Sequence, residues 1–277
     1  MGKQIVMSDA GITDDGYSAI SAAAASFGVD ISAAELAEIA VRHDFGDGEL
    51  AAMREVFDYL AKKHHDSVIE MLLKLSRLPR KVPKTFDGFD FTRIQGRDAD
   101  ALGKLPSLSN LHARKNLAFI GPGGIGKTHL TQAYGHECCM QGYKTYYLKA
   151  TELRDKLRRA AESDSPSKIV STLSKPSCLI VDEVGRCVFD KPCTDLFFDI
   201  VDRRYEKDCP NTLILTSNTP VNNWGEFFTG DDTLLCALDR IFDKASVFVM
   251  RGSSFRGQEC DTFSVEAVPS VMKVQGR

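Results

Sequence analysis

Five short apolar runs set the frame of this chain: residues 116–120, 145–149, 178–183, 212–218 and 246–250. Each is five to seven residues long, rich in Val, Ile, Leu and aromatics, and closed by polar or glycine-rich residues. Such runs, without the apolar–polar alternation of a half-exposed strand, predict strands buried on both faces, as in a parallel sheet. Between them the period lengthens to that of helices over residues 128–140, 151–161 and about 194–205, with a short helix through 238–240 and a polar loop around Pro166. Strands alternating with helices predict an α/β domain.

Upstream the pattern changes. Residues 1–29 are rich in Ala, Ser and Gly without a clear period, and predict a partly ordered leader. From Ile31 the chain turns helical: Ser32 is a candidate N-cap, and Leu36, Ile39 and Ala40 form an apolar stripe. Gly46-Asp47-Gly48 breaks it. Two further helices are predicted, at about 49–60 and 65–78, the second with Val68, Met71, Leu72 and Leu75 on one face. Pro83 ends the helical run. Phe86, Phe89 and Phe91 suggest an extended piece laid against the next domain, which puts a boundary between residues 84 and 85. A helix through 101–111 then leads to the first strand.

Composition narrows the class. The chain has 277 residues, 43% of them hydrophobic and 26% charged, as in ordinary soluble domains. No apolar run approaches the roughly 18 residues of a membrane span, and the first residues lack the core of a signal peptide. Eight cysteines occur without a C-x-x-C pair, which favours reduced thiols in a cytoplasmic protein over a disulfide or metal framework. The net charge of −3 is unevenly spread: residues 1–60 carry three basic and eleven acidic side chains, and the remainder is net positive. A basic body with an acidic head suits an anionic partner.

The chemistry lies at the ends of the strands. Gly121-Pro122-Gly123-Gly124-Ile125-Gly126-Lys127-Thr128 fits G-x-x-x-x-G-K-[ST], and it stands between a strand and a helix as that motif requires. Its glycines let backbone N–H groups turn onto nucleotide phosphates. Lys127 would reach the β/γ-phosphates, and the Thr128 hydroxyl would ligate Mg²⁺. The third strand ends in Asp182-Glu183, 55 residues beyond Lys127. There Asp182 would hold the Mg²⁺ shell and Glu183 would polarise the attacking water. Asn218, closing the fourth strand, would lie near the γ-phosphate.

The order of these pieces resembles an AAA+ ATPase, and within that class the IstB/DnaC-like group: helper ATPases of IS21-type transposons and the related bacterial helicase loaders. The resemblance covers roughly residues 70–260. It is carried by Thr85-Phe86-Asp87-Gly88-Phe89-Asp90-Phe91, the loop from Gly121 to Leu130, Val181-Asp182-Glu183-Val184-Gly185, Arg203-Arg204-Tyr205-Glu206, Thr216-Ser217-Asn218-Thr219-Pro220, Asn223-Trp224-Gly225-Glu226-Phe227-Phe228, Leu238-Asp239-Arg240 and Ser254-Phe255-Arg256. It implies a three-layer domain with a five-stranded parallel sheet ordered 5-1-4-3-2, preceded by a small helical module and without a separate C-terminal lid. It further implies nucleotide contacts from Gly121 through His129, a first sensor at Asn218, an arginine finger at Arg240 acting on the neighbouring subunit, and a second sensor at Arg256. Arg186 stands where the family usually has an aromatic, and Phe255 replaces the usual tyrosine.

Residues 1–84 are then a leader and partner-binding module, and residues 85–277 the ATPase domain. The expected function is an ATP- and Mg²⁺-dependent ATPase. It would assemble as a homo-oligomer on double-stranded DNA and recruit a transposase; the alternative is a replicative helicase loader. A metabolic P-loop kinase would leave Arg240 idle. Arg154, Lys156, Arg158 and Arg159, on the helix after the second strand, are the candidate DNA contacts, and no contact with a membrane is expected.

Overall fold

A computed structural model of the chain describes residues 14–96, 98–163, 165–229, 231–252 and 254. Five parallel strands, β1 (Asn116–Ile120), β2 (Thr145–Lys149), β3 (Cys178–Val184), β4 (Thr212–Ser217) and β5 (Ala245–Val249), form one sheet in the order β2-β3-β4-β1-β5. That is the expected 5-1-4-3-2 order, and each strand lies within a residue or so of its predicted bounds.

Strand parity divides the core in two. Ala118, Ile120, Leu148, Leu179, Val181, Leu213 and Leu215 face one layer of helices: α7 (Ala150–Ala161), α8 (Pro166–Ser174), α9 (Lys191–Tyr205) and α10 (Asp231–Asp243). Leu117, Phe119, Tyr147, Ile180 and Ile214 face the other, built on α6 (Lys127–Met140) with Leu130, Ala133, Tyr134, Cys138 and Cys139. The strands β1 to β4 lie between two apolar layers and so read as apolar runs, whereas the edge strand β5, expected to be buried on both faces, leaves Val247 and Val249 exposed.

Several predicted elements differ. The tail of the supposed leader is a helix, α1 (Asp14–Ser26), which packs on α2 (Ala33–Arg42) and α3 (Asp47–Leu75) through Ile20 and Ala24. Its sequence is Ala- and Ser-rich, so it lacks a bulky stripe, yet alanine is the strongest helix former. Residues 1–13 lie outside the described residues. Ser32 does cap α2, in a capping box with Glu35. The two helices predicted at about 49–60 and 65–78 are one, α3, because residues 61–64 contain neither Gly nor Pro and nothing interrupts the ladder. Its start packs on α1, while Leu72 joins Leu78, Phe86 and Phe89 in the core of the body.

The segment 85–91 is a turn followed by a 3₁₀ turn (Phe91–Arg93), not an extended piece. The helix predicted through 101–111 is broken at Pro106 into α4 (Ala99–Gly103), a 3₁₀ turn and α5 (Ser109–His112), with the buried Leu108 left-handed between them. The loop predicted around Pro166 is α8, with Pro166 at its first turn where a missing N–H costs nothing. The short helix predicted at 238–240 is the 13-residue α10. The expected absence of a lid concerns residues beyond 254, outside the described residues.

Arg204 secures the end of the sheet opposite the candidate site. It is 3% exposed and donates to the carbonyls of Leu173, Ser174, Pro176, Ser177 and Thr212, tying α8 and α9 to the starts of β3 and β4. Burial pulls its guanidinium down to about 10, still charged at neutral pH. Among the described residues no helix is long and apolar enough to cross a membrane.

Candidate nucleotide site

The loop 121–126 leaves the C-terminal end of β1 and turns directly into α6. Gly126 has φ +92°, and a Cβ there would stand 2.7 Å from the Phe89 ring, so only glycine fits. The backbone thus presents the N-terminus of α6, with its unsatisfied N–H groups and positive dipole end, to a cavity of about 510 Å³. That cavity is lined by the loop, Lys84, Phe89, Asp90, Glu183, Arg186 and Asn218, among others.

Lys127 is 7% exposed, and its Nζ donates to Gly121 O (2.6 Å), Pro122 O (2.7 Å) and Asn218 Oδ1 (2.8 Å). Two carbonyls and an amide oxygen stand in for acceptors that phosphate oxygens would supply. Asn218 meets Lys127 because β4 pairs with β1, bringing the two strand ends side by side.

Asp182 is 1% exposed and is served by hydroxyls. Thr128 Oγ1 lies 3.1 Å from each of its carboxylate oxygens, Tyr147 Oη donates to one at 2.7 Å, and Thr216 Oγ1 donates to the other. Burial first, and then the Asp182 charge, push the Tyr147 hydroxyl well above its ordinary value, so it remains a donor. A carboxylate and a threonine hydroxyl this close, at a phosphate-binding loop, are the oxygen donors that Mg²⁺ takes when it keeps most of its waters and the nucleotide phosphates supply the rest.

Glu183 follows in a left-handed conformation, φ +63°, where the β3–β4 register shifts between Val181 and Val184. The irregularity turns neighbouring acids toward different surroundings, a use to which bulges beside active sites are put. Its N–H donates to Thr216 Oγ1 at 2.9 Å, and its carboxylate lies 3.5 Å from Lys149 Nζ and 3.8 Å from an Arg186 nitrogen.

The remaining candidates are spread out. His129 lines the same cavity, but its Nε2 lies 2.9 Å from Thr85 O and its ring meets Phe89 edge-on, tying the 85–91 segment to the loop. Ile125 is buried in the apolar layer under α6. Arg240 sits at the far end of the sheet, 2.9 Å from Asp202 and over the Phe198 ring, while Asn116 Nδ2 donates to the next carbonyl, Ile241 O. Arg256 lies outside the described residues. On α7, Arg154 pairs with Asp155 at 2.7 Å, Arg158 with Asp190 at 2.9 Å, and Arg159 Nε donates to Asp155 O. Tyr147, Thr216, Lys149 and the ion pair at Arg186 were not singled out from the sequence. Strand parity was the available signal for the first two, since Tyr147, Asp182 and Thr216 fall in step with Ile180 and Ile214 on the α6 face.

A parallel sheet with a phosphate-binding loop after β1 and paired acids at the C-terminal end of β3 defines a nucleotide-binding P-loop protein of the three-layer α/β class. Residues 35–262 match the family described as IstB-like ATP binding protein, and the chain belongs to that family. It is similar to the ATP-binding protein of insertion sequence IS5376 from Geobacillus stearothermophilus, 40% identical over 192 residues, which cover 69% of this chain and 74% of the relative. It is also similar to that of insertion sequence IS21 from Pseudomonas aeruginosa, 34% identical over 196 residues, 70% and 72% of the two chains. Among solved structures, DnaI matches with a TM-score of 0.50 at 18% identity, over 65% of this chain and 95% of DnaI, a likeness of fold.

Proposed function

We propose that this protein is a Mg²⁺-dependent ATPase of an IS21-type element that assembles with ATP as a homo-oligomer on double-stranded DNA in the cytoplasm. It would engage a transposase through residues 1–84, with residues 85–277 as the ATPase unit. The observation that carries this proposal is the division of catalytic groups between the two ends of the sheet: Lys127, Asp182, Glu183 and Asn218 gather at one, Arg240 at the other. Phosphoryl transfer needs positive charge on the leaving and transferring groups. A second subunit would complete the first one's site with Arg240, which makes turnover depend on assembly. Membership of a family associated with insertion sequences supports transposition as the process served.

In this proposal Glu183 polarises the attacking water, Asn218 leaves Lys127 for phosphate or water, and Arg256 acts as a second sensor. Glu183→Gln keeps the shape and removes the charge. It is expected to bind ATP as the parent does and to lose at least about 10²-fold in turnover, the lower range for a positioned base. Steady-state phosphate release beside nucleotide titration checks this, and parental turnover in the variant refutes the assignment.

Duplex binding is assigned to α7, next to the edge strand β2. The Arg154 and Arg158 ion pairs are solvent-accessible and therefore weak, so DNA phosphates can displace the carboxylates. Parental affinity with ATP should fall by roughly 10³-fold between 50 and 200 mM salt if about six phosphates are neutralised. Changing Arg154, Lys156, Arg158 and Arg159 to Ala removes these cations from every subunit at once and should abolish most of that salt slope. An unchanged slope in a folded, ATP-binding variant excludes this helix. Duplex should compete at least as well as single strand for a transposition helper, and worse for a helicase loader.

A further inference from the structure

Asp182 is the most enclosed charged group of the site, and the structure surrounds it in an unusual way. Its hydrogen-bond donors are the hydroxyls of Thr128 on α6, Tyr147 on β2 and Thr216 on β4. Among the described residues no ion pair to Asp182 is formed. Neutral donors partly satisfy a buried carboxylate without cancelling its charge, which leaves that charge for a cation. Tyr147 and Thr216 approach from the strands on either side of β3, and each serves a different carboxylate oxygen. The carboxylate is therefore pinned in rotation. Thr128, the third donor, is the one in the first turn of α6 beside the phosphate-binding loop, where the hydroxyl can exchange Asp182 for an ion.

Building on the Mg²⁺·ATP site proposed above, we infer that Tyr147 and Thr216 are positioning residues which hold Asp182 in the orientation that binds Mg²⁺, and that Thr216 also fixes the peptide of Glu183. The two differ in reach. The Tyr147 hydroxyl touches Asp182, whereas Thr216 Oγ1 donates to Asp182 and accepts from the Glu183 N–H, the residue held at φ +63°. Losing Tyr147 Oη loosens the Asp182 seat. Losing Thr216 Oγ1 loosens that seat and also releases the strained peptide carrying Glu183. Hydrogen-bond partners of metal ligands are worth about 10–100-fold in metal affinity.

The test uses the full chain as parent, Tyr147→Phe, Thr216→Val and Thr216→Ser, with binding of a fluorescent ATP analogue followed in EDTA and across a Mg²⁺ series. Turnover at saturating Mg²⁺ and thermal unfolding are measured beside it. The parent must bind the analogue more tightly with Mg²⁺; if it does not, the Mg²⁺·ATP site itself is wrong. Given that, affinity in EDTA should be equal in all four proteins, since it depends on Lys127 and the loop. The Mg²⁺ midpoint should rise about tenfold in Tyr147→Phe and Thr216→Val and stay within about twofold of the parent in Thr216→Ser, which keeps the hydroxyl. At saturating Mg²⁺, Tyr147→Phe should turn over near the parental rate and Thr216→Val should not. Unshifted midpoints, or affinity lost equally with and without Mg²⁺, overturn the inference. Thr216→Ser behaving like Thr216→Val overturns it for Thr216, and a Tyr147 variant that does not fold leaves the Thr216 pair to decide.

Discussion

Lys127→Ala is expected to weaken ATP binding by about 10²-fold or more. The Lys127 ammonium is the charge around which the loop is folded, buried at the start of α6 and donating to Gly121 O, Pro122 O and Asn218 Oδ1. With nucleotide, its donors would pass to the β/γ-phosphates, and charge-assisted hydrogen bonds of this kind contribute about 1.5–3 kcal/mol each. Two such bonds amount to roughly 10²–10⁴-fold in affinity. The alanine variant also leaves two carbonyls and an amide oxygen facing the phosphates without an intervening cation, so repulsion adds to the loss. Lys127 closes no apolar layer, and the fold should survive with a cooperative unfolding transition. Titration with a fluorescent ATP analogue checks the outcome, and affinity within about threefold of the parent, against the roughly 10²-fold minimum, would falsify the phosphate role of Lys127.

What could be read from the sequence followed physical lines. The strands β1 to β4 were legible because they are covered on both faces, so each is a nearly continuous apolar run whatever its neighbours, and β5 because its residues are mostly apolar although Val247 and Val249 are exposed at the sheet edge. Gly121–Thr128 and Asp182-Glu183 were legible because their chemistry is contiguous in the chain. The helices α1 and α8 were not, since each buries only a few small or scattered residues: Ile20 and Ala24 in one, Val170 and Leu173 in the other. The continuity of α3 was hidden because its middle turns are exposed and polar and carry no period. The seat of Asp182 depends on three strands meeting side by side, and the Lys149 contact to Glu183 on the pairing of β2 with β3. Such pairings appear only once register is known. No residue type announces the left-handed backbone of Glu183, which a β-strand propensity argument would place in the extended region.

Arg240→Ala should leave ATP binding intact and cut hydrolysis by about 10³-fold or more, the usual worth of an arginine finger. Geometry decides where that arginine can act. Arg240 lines a cavity of about 140 Å³ with Asn116 and Lys244, beside the first residue of β1, whereas the phosphate-binding loop follows the last. Five residues of strand at roughly 3.3 Å each separate the two ends, so its own nucleotide is out of reach. Its partner Asp202 and its own side chain are each about one-third exposed, and a pair in that setting contributes under about 1 kcal/mol. The guanidinium can therefore leave Asp202 for a neighbour's phosphate at little cost. Mixing the variant with Lys127→Ala protein makes the test specific. Each is inactive alone, for different reasons, but an Arg240→Ala subunit with an intact loop can take its arginine from a Lys127→Ala neighbour. In a head-to-tail assembly mixed at random in equal amounts, about one interface in four is productive, and activity should return in that proportion. Cross-linking or mass measurement establishes that mixed assemblies form. If they form and no mixture recovers activity at any ratio, Arg240 does not act across the interface.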